Sequence, residues 1–321
     1  MKRLVFKRLA VLPLLVLLVA TVTFAVVQAA PGSYADAIDN PRLTPVARTH
    51  LRALYGLDQG ARTQYLHWIR ALIHGDLGRS FLFKQPVAEV IAAALPATIL
   101  LAGTALAMDL ILGLLLALIS ARRPGGWIDR TLTIFSLGIY GLPSFWLAGL
   151  AILVFSLTLG WLPASHMASV GAERWAAGAR WLDLVRHLIL PASILGIVGA
   201  ASTARYLRAS LLDVRRSHHI LAARARGLTE SRILWVHTLR PALGPLVTLI
   251  GLSLPVLVSG SVVVETIFSW PGMGRIMWQA AVARDIPVVM GCTLVGAVAV
   301  IIGSLVADLL YAWADPRVRP Q

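Results

Sequence analysis

Apolar residues along this chain gather into long runs, and the polar residues collect in short segments between them. Six runs stand out, at residues 9–27, 91–120, 131–159, 188–204, 243–268 and 286–313. A helix needs about 20 apolar residues to cross a hydrocarbon core, so these runs predict six membrane-spanning helices. Residues 31–90 form the longest polar stretch. In it, Thr44 followed by Pro45 starts a helix that Gly56 stops, predicting a helix over 45–55. A second helix is expected over 64–73, followed by a turn-rich loop through Gly75, Asp76, Gly78, Arg79 and Ser80. A short basic loop at 122–130 joins the second and third runs. The excursion at 161–187 carries Trp161, Trp175 and Trp181, which suit a membrane interface.

The segment 205–240 is the most cationic between two runs. Within it Val214, Leu221, Ala225 and Leu228 recur at steps of seven, four and three, the apolar stripe of a short amphipathic helix. Gly227 can end that helix, and Thr229 can cap the next, with Glu230 in its first turn where the helix dipole favours an acid. The expected local structure is helix, glycine turn, helix. Its pattern fits a face lying on lipid or a docking element for another protein.

With 58% hydrophobic and 14% charged residues, the chain has more apolar surface than one soluble core can hide, which makes it a polytopic membrane protein. A net charge of +14 raises the alternative of nucleic-acid binding, so the placement of charge has to decide. Six spans put 17 Lys and Arg on the side of the termini and 12 on the other, leaving +13 against +4 once acids are subtracted. The positive-inside tendency then places both termini in the cytoplasm and argues against nucleic acid. The organisation is an N-terminal tail and first span (1–30), a small extracytoplasmic subdomain (31–90) and a five-helix core (91–321) containing the loop 205–240. The first run also resembles a secretory leader cleavable near Val27-Gln28-Ala29, but its length favours an uncleaved span.

Candidate chemistry is sparse. The single cysteine, Cys292, permits no intrachain disulfide and no cysteine metal cluster. The only lysines, Lys2, Lys7 and Lys84, stand in no phosphate-loop setting, so the chain hydrolyses no ATP by that route. No His-Glu-x-x-His pattern occurs, and no metal site is expected. Ser144 follows Gly141-Leu142-Pro143, which reads as a helix kink rather than a nucleophile. The chain is therefore expected not to be an enzyme. Three carboxylates, Asp109, Glu265 and Asp308, fall within or at the ends of spans. Each is either a pathway group or a partner hydrogen-bonded inside a helix bundle.

Several blocks resemble the inner-membrane permease subunits of ATP-binding-cassette importers, in the dipeptide, oligopeptide and nickel branch. Ala222-Ala223-Arg224-Ala225-Arg226-Gly227-Leu228 is similar to that branch's coupling motif. Gly75-Asp76-Leu77-Gly78-Arg79-Ser80, Leu142-Pro143-Ser144-Phe145-Trp146, Leu159-Gly160-Trp161-Leu162-Pro163 and the stretch from Glu265 to Arg275 agree with it in order. So do Asp308-Leu309-Leu310-Tyr311 and Asp315-Pro316-Arg317 near the end. The resemblance implies an all-α, six-span permease fold with a coupling helix of roughly residues 213–226, laid into a groove on a cytoplasmic ATPase. Asp213, Val214, Leu221, Ala222, Ala223, Arg224, Ala225, Arg226, Gly227 and Leu228 would serve that contact. Asp109, Ser144, Glu265 and Asp308 become pathway or helix-pairing candidates, and Asp76, Arg79, Trp270 and Arg275 candidates for docking a soluble binding protein.

The implied partners are a second permease, in this branch usually a paralogue, two ATPases that hold ATP and magnesium, the binding protein and the lipid bilayer. This chain itself would carry no cofactor. Peptides are the expected cargo; nickel and antimicrobial peptides are the alternatives within the branch. A proton-coupled transporter using Asp109, Glu265 and Asp308 is the alternative outside it. Three departures from the pattern stand in the loop: Leu221 in place of the motif's glutamate, His218-His219 before it, and Arg240 in place of a proline. Asp109 also stands where the branch is apolar.

Overall fold

A computed structural model describes residues 2–29, 59–244, 246 and 262–314. The helices are α1 (Lys2–Ala29), α2 (Ala61–Ile73), α3 (Val87–Arg122), α4 (Trp127–Gly141), α5 (Ser144–Ala151), α6 (Ala177–Arg215) and α7 (His218–Ala225). They continue with α8 (Glu230–Arg232), α9 (Leu239–Ala242), α10 (Val262–Ile267), α11 (Met273–Val282) and α12 (Ile286–Ala314). The π-helical stretch Ile152–Thr158 extends α5, and another, Ile233–Thr238, joins α8 to α9. Among the described residues the only β feature is an isolated bridge between Arg79 and Pro86, so the all-α expectation holds.

The core is a seam between α3 and α6, the two longest helices at 36 and 39 residues. Ala94, Ala97, Thr98, Leu101, Ala102 and Ala105 line the buried face of α3 at helical spacing. Lipid tails are as apolar as leucine, so helices in a membrane gain little by hiding side chains from water. They gain by letting backbones approach at small residues. Gly196 of α6 does this against Met108 and Ala105, Gly113 of α3 against Thr203, and Gly199 against Asp109.

Four described helices are long and apolar enough to cross a membrane: Val11–Ala29, Val87–Arg122, Ala177–Arg215 and Ile286–Val306. The third expected span is not one straight helix. It breaks between Gly141 and Ser144 with a bend of 101°. Leu142 is extended at φ −87° and ψ 137°, the conformation that steric clash with a following proline imposes, and Pro143 then opens α5. The run 243–268 lies mostly outside the described residues, and only its end appears as α10. The helix expected over 45–55 also lies outside them, whereas the one expected over 64–73 is present as α2, starting at Ala61.

The fourth span differs most from expectation. The apolar run 188–204 is the middle of α6, which begins at Ala177 and continues to Arg215. Polar residues at 177–187 suggested a loop. They belong instead to an extension of the helix that buries Asp183 and His187 and turns Arg180 and Arg186 outward. Asp183 is held there by the Ser169 backbone N–H at 2.8 Å and the Ser169 hydroxyl at 2.7 Å.

At the end of the bundle where α3 begins, the loop after α2 is tied down by Asp285. This fully buried carboxylate accepts from the Ser80 hydroxyl at 2.5 Å and from the Leu82 N–H at 2.9 Å. Gly75 and Gly78 turn the loop at φ +79° and +82°, and Asp76 closes it by accepting from the Gly78 N–H at 2.8 Å.

The seam makes a direct prediction. A Cβ on Gly196 would lie 2.8 Å from the Met108 Cβ and 3.0 Å from the Ala105 carbonyl oxygen, so Gly196→Ala must push the helices apart. A destabilisation of about 1–3 kcal/mol is expected, read as a lower thermal midpoint in detergent. Gly103→Ala, where the added Cβ meets nothing within 4 Å, is the control and should leave the midpoint unchanged.

Candidate functional site

The 205–240 segment begins inside α6. That helix ends in a turn where the N–H groups of Arg216 and Ser217 donate to the carbonyls of Asp213 and Val214 at 3.2 and 3.0 Å. Ser217, extended at φ −73° and ψ 151°, then opens α7. The single helix expected over 213–226 is therefore two helices. Asp213 and Val214 belong to the end of α6, and the separate element is the eight-residue helix His218–Ala225.

The glycine turn forms as expected. Gly227 stands at φ +75° and donates to the Arg224 carbonyl at 2.9 Å, and Leu228 donates to the Ala223 carbonyl at 3.3 Å. This pair of bonds is a Schellman closure, in which a left-handed glycine lets the chain fold back over the last helical turn. The Thr229 hydroxyl then caps α8 by accepting from the Arg232 N–H at 3.4 Å.

The apolar stripe is where sequence and structure part. Ile220, Ala223 and Ile233 are buried together, with Val214 and Leu228 packed against them. Leu221 is 53% exposed, and Ala222 and Ala225 are exposed as well. The non-helical residue at 217 resets the rotation of the chain, so positions seven apart across it no longer share a face. Val214 and Leu228 therefore point inward while Leu221 and Ala225 point out. The outer surface of α7 carries small and apolar groups beside the exposed Arg224 and Arg226.

One of those arginines is already paired. Arg224 Nε lies 2.8 Å from Glu230 Oε1, and Arg215 Nη2 lies 4.0 Å from Glu230 Oε2. The hydrogen bond from Arg224 holds the Glu230 carboxyl below its ordinary range and raises the guanidinium pKa.

Beneath the loop lies a set of contacts that sequence reading missed. The guanidinium of Arg208 grips Asp129 with both arms, Nε to Oδ1 and Nη2 to Oδ2, each at 2.6 Å. The Ser120 hydroxyl and the Gly125 N–H also donate to Asp129, which is only 4% exposed. The end of α3, the start of α4 and α6 are thus joined at one carboxylate. Arg215 adds a bond from Nη1 to the Ala121 carbonyl at 2.6 Å, satisfying the open end of α3. In the sequence these residues were read only as a topological charge excess. No local pattern links positions 79 residues apart.

The candidates nearer the other end form a separate group. Glu265 is fully buried, accepts from the Thr98 hydroxyl at 3.0 Å and from the Arg275 N–H at 3.1 Å, and so caps the start of α11. Thr98 accepts in turn from the Met273 N–H at 2.7 Å. Trp270 is fully buried with its indole N–H on the Ala97 carbonyl at 2.8 Å, so in this conformation it offers a docking protein no surface. Arg275 donates to the Ser269 carbonyl at 2.6 Å. Asp76 and Arg79 are both exposed on their loop, and Arg79 donates to the Lys84 carbonyl at 3.2 Å. Asp109 is half-buried against Gly199, with its Oδ1 finding no hydrogen bond among the described residues. Ser144 is the first residue of α5, and the Asp308 side chain lies outside the described residues.

Residues 110–320 match the family described as binding-protein-dependent transport system inner membrane component, and residues 1–102 match the N-terminal family of the same membrane components. The chain belongs to this family and is a multi-pass membrane protein. Among its relatives is the oligopeptide transport system permease protein AppB of Bacillus subtilis, 38% identical over 302 residues, which cover 94% of each chain. Another is the di/tripeptide transport system permease protein DppB of Pseudomonas aeruginosa, 36% identical over 318 residues and likewise covering 94% of each. A solved structure of the MetNI methionine ABC transporter in inward-facing conformations shares the fold, with a TM-score of 0.53 at 18% identity over 71% of this chain and 97% of that one.

Two predictions follow from this geometry. Removing one side of the Asp129 fork by Asp129→Asn or Arg208→Gln leaves the other group buried and underpaired. Each change should cost roughly 3 kcal/mol in unfolding measured in detergent. The second concerns pH. Because the folded pKa of Glu230 is depressed below 4.5, its pairing with Arg224 favours the folded loop above that value and is lost as pH falls through the lower folded pKa. A carboxyl carbon NMR titration of Glu230 should show a midpoint below 4.5; a midpoint at or above it contradicts the pairing.

Proposed function

We propose that this chain is a membrane-spanning subunit of an ATP-driven importer of peptides, moving cargo by alternating access and receiving force from separate ATPase subunits. The observation that carries the reading is the α7 turn. Its inner face is fixed to the bundle through Ile220, Ala223 and Ile233, and its outer face of Leu221, Ala222, Ala225, Arg224 and Arg226 is left open. A helix anchored on one side and bare on the other is suited to being gripped and moved.

Family membership supports an importer fed by a binding protein, and the printed names of the relatives support peptides as cargo. In this reading two permeases, this chain and a paralogue, pair in the cytoplasmic membrane. Two ATPases bind from the cytoplasm, with ATP and magnesium held on them, and a soluble binding protein delivers cargo. The chain crosses six times with both termini inside, the sixth crossing supplied by the run 243–268. The outer stretch 31–90 forms a subdomain on the delivery side, where Asp76 and Arg79 are the docking candidates that keep polar groups near the surface. Selectivity then rests chiefly on the binding protein, which leaves nickel complexes and antimicrobial peptides as other cargoes for the same outline.

Closure of the ATPases would displace α7, and α6, about 58 Å long at 1.5 Å per residue, would carry that displacement to the far side of the membrane. Such a transition uses differential binding to two states rather than bond chemistry in this chain.

The test uses the complete complex in proteoliposomes. Ala222→Glu places an acid on the open face of α7, at a position where the motif has alanine, without touching the buried one. ATP hydrolysis stimulated by peptide-loaded binding protein should fall at least about tenfold, the equivalent of ~1.4 kcal/mol at the interface. Unchanged stimulation, or peptide uptake without ATPase subunits, contradicts the reading.

A further inference from the structure

A cleft of about 390 Å³ opens where the ends of α3 and α6 meet the helical rod that follows Thr229, and its lining includes Arg122, Arg215, Glu230, Ser231, Trp235 and Thr238. Its polar groups are unevenly satisfied. Arg122, the last residue of α3, is exposed and pairs with no carboxylate among the described residues. Arg215 spends Nη1 on the Ala121 carbonyl, while Nη2 lies 4.0 Å from Glu230. That carboxylate is the one acid in the cleft, and it is already taken by Arg224 at 2.8 Å. Thr238 is the clearest anomaly. Its side chain is fully buried, and its hydroxyl oxygen finds no hydrogen-bond partner among the described residues. A buried hydroxyl left unpaired is costly, so its place in the wall of a cationic cleft points to a ligand that accepts hydrogen bonds.

Position narrows the chemistry. Arg122 lies two residues past the apolar run of α3, and the Arg215 side chain reaches the same level through its bond to the Ala121 carbonyl, which suits both guanidinium groups to headgroup depth. Trp235 and Val236, each 55% exposed on the same rod, present an apolar surface beside the cleft, as interfacial residues do. Guanidinium groups at that depth match the planar oxygen pairs of a phosphate.

We propose that this cleft binds a phosphate-bearing anion, supplied by an anionic phospholipid headgroup, with Arg122 and Arg215 on phosphate oxygens and the Thr238 hydroxyl donating to a third. The ligand would bridge the ends of α3 and α6 to the segment just after the glycine turn. It would therefore set how stiffly α7 is attached to the bundle and make coupling depend on anionic lipid.

The test uses the complete complex, reconstituted in nanodiscs of phosphatidylcholine with or without phosphatidylglycerol and released for native mass spectrometry. Wild type should retain phosphatidylglycerol over phosphatidylcholine, Arg122→Gln should reduce that retention about fivefold, and Arg122→Lys should recover part of it. Arg122 is exposed, so an unchanged thermal midpoint will show that its variants fold. Thr238→Val, which keeps the shape without the hydroxyl, should also lower retention.

A second arm separates the sources of phosphate. Inorganic phosphate added to lipid-free detergent samples should stabilise wild type but not Arg122→Gln if the site also takes the free anion. Stabilisation by phosphatidylglycerol alone assigns it to the headgroup. Equal lipid retention by wild type, Arg122→Gln and Thr238→Val overturns the proposal, as does retention that vanishes whenever the ATPases are bound.

Discussion

The structure depends on how closely α3 and α6 approach. Their seam rests on Gly113, Gly196 and Gly199, where one helix lies directly against the side chains and backbone of the other. In a membrane this close approach replaces the expulsion of water that drives soluble cores. It also needs fastening along its length, because dispersion between small residues is weak per atom. One buried carboxylate fastens the seam itself, and another braces α3 from outside it. Toward the start of α3, Glu265 and Thr98 tie that helix to α11, and at its end Asp129 ties α3 and α4 to α6 through the fork of Arg208. Each acid is surrounded by donors, which is what allows it to remain where a bare carboxylate would be expelled.

The glycine turn acquires meaning from this rigid seam. Because α6 runs unbroken from Ala177 to Arg215, the single turn at Arg216 and Ser217 is the only interruption between the seam and α7. Ser217 changes the rotational phase, and this small offset hides Ile220 while exposing Leu221. Had the helix continued through 217 as the heptad spacing suggested, Val214, Leu221 and Ala225 would share one buried face. The surface left open would then have been chiefly charged. The break substitutes a mixed face of leucine, alanine and arginine, a composition better suited to a packed interface than a ring of cations is.

Much of this architecture was legible because its signals are local. Apolar runs mark spans, Gly227 marks a left-handed turn, and Thr229 with Glu230 marks a helix start; the turn and the helix start appear where they were expected, and four of the runs lie in described helices long enough to cross a membrane. Errors arose where polarity stood in for disorder. The residues from 177 to 187 bury the polar Asp183 and His187 while Trp181 and Leu182 stand exposed, an inversion that a one-dimensional reading takes for a loop. The broken third span is an intermediate case. Pro143 announced a kink, but a bend of 101° depends on what surrounds the chain after the break. The fork of Asp129 and Arg208 was invisible for a different reason. Its partners come from separate helices, and a surplus of arginine in the segments between spans disguises an arginine that is spent internally.

The carboxylates also decide between two ways of powering transport. A proton-coupled pathway needs an acid that can exchange its proton with water and change partners as it does so. Glu265 is fully buried, and backbone N–H groups and a hydroxyl that build a helix start converge on its two oxygens. Changing its charge would loosen α11 rather than open a route. Asp109 differs, since it is half-buried and one oxygen lacks a bond, but it is wedged against the Gly199 backbone at the tightest part of the seam. A group that must move to do its work is poorly placed where a fraction of an ångström is already contested. The deformable parts of the chain lie elsewhere, in the bend before Ser144, the π-helical stretches and the single turn before α7. A stiff seam flanked by breaks in the helices around it is the arrangement expected of a molecule driven mechanically from outside itself.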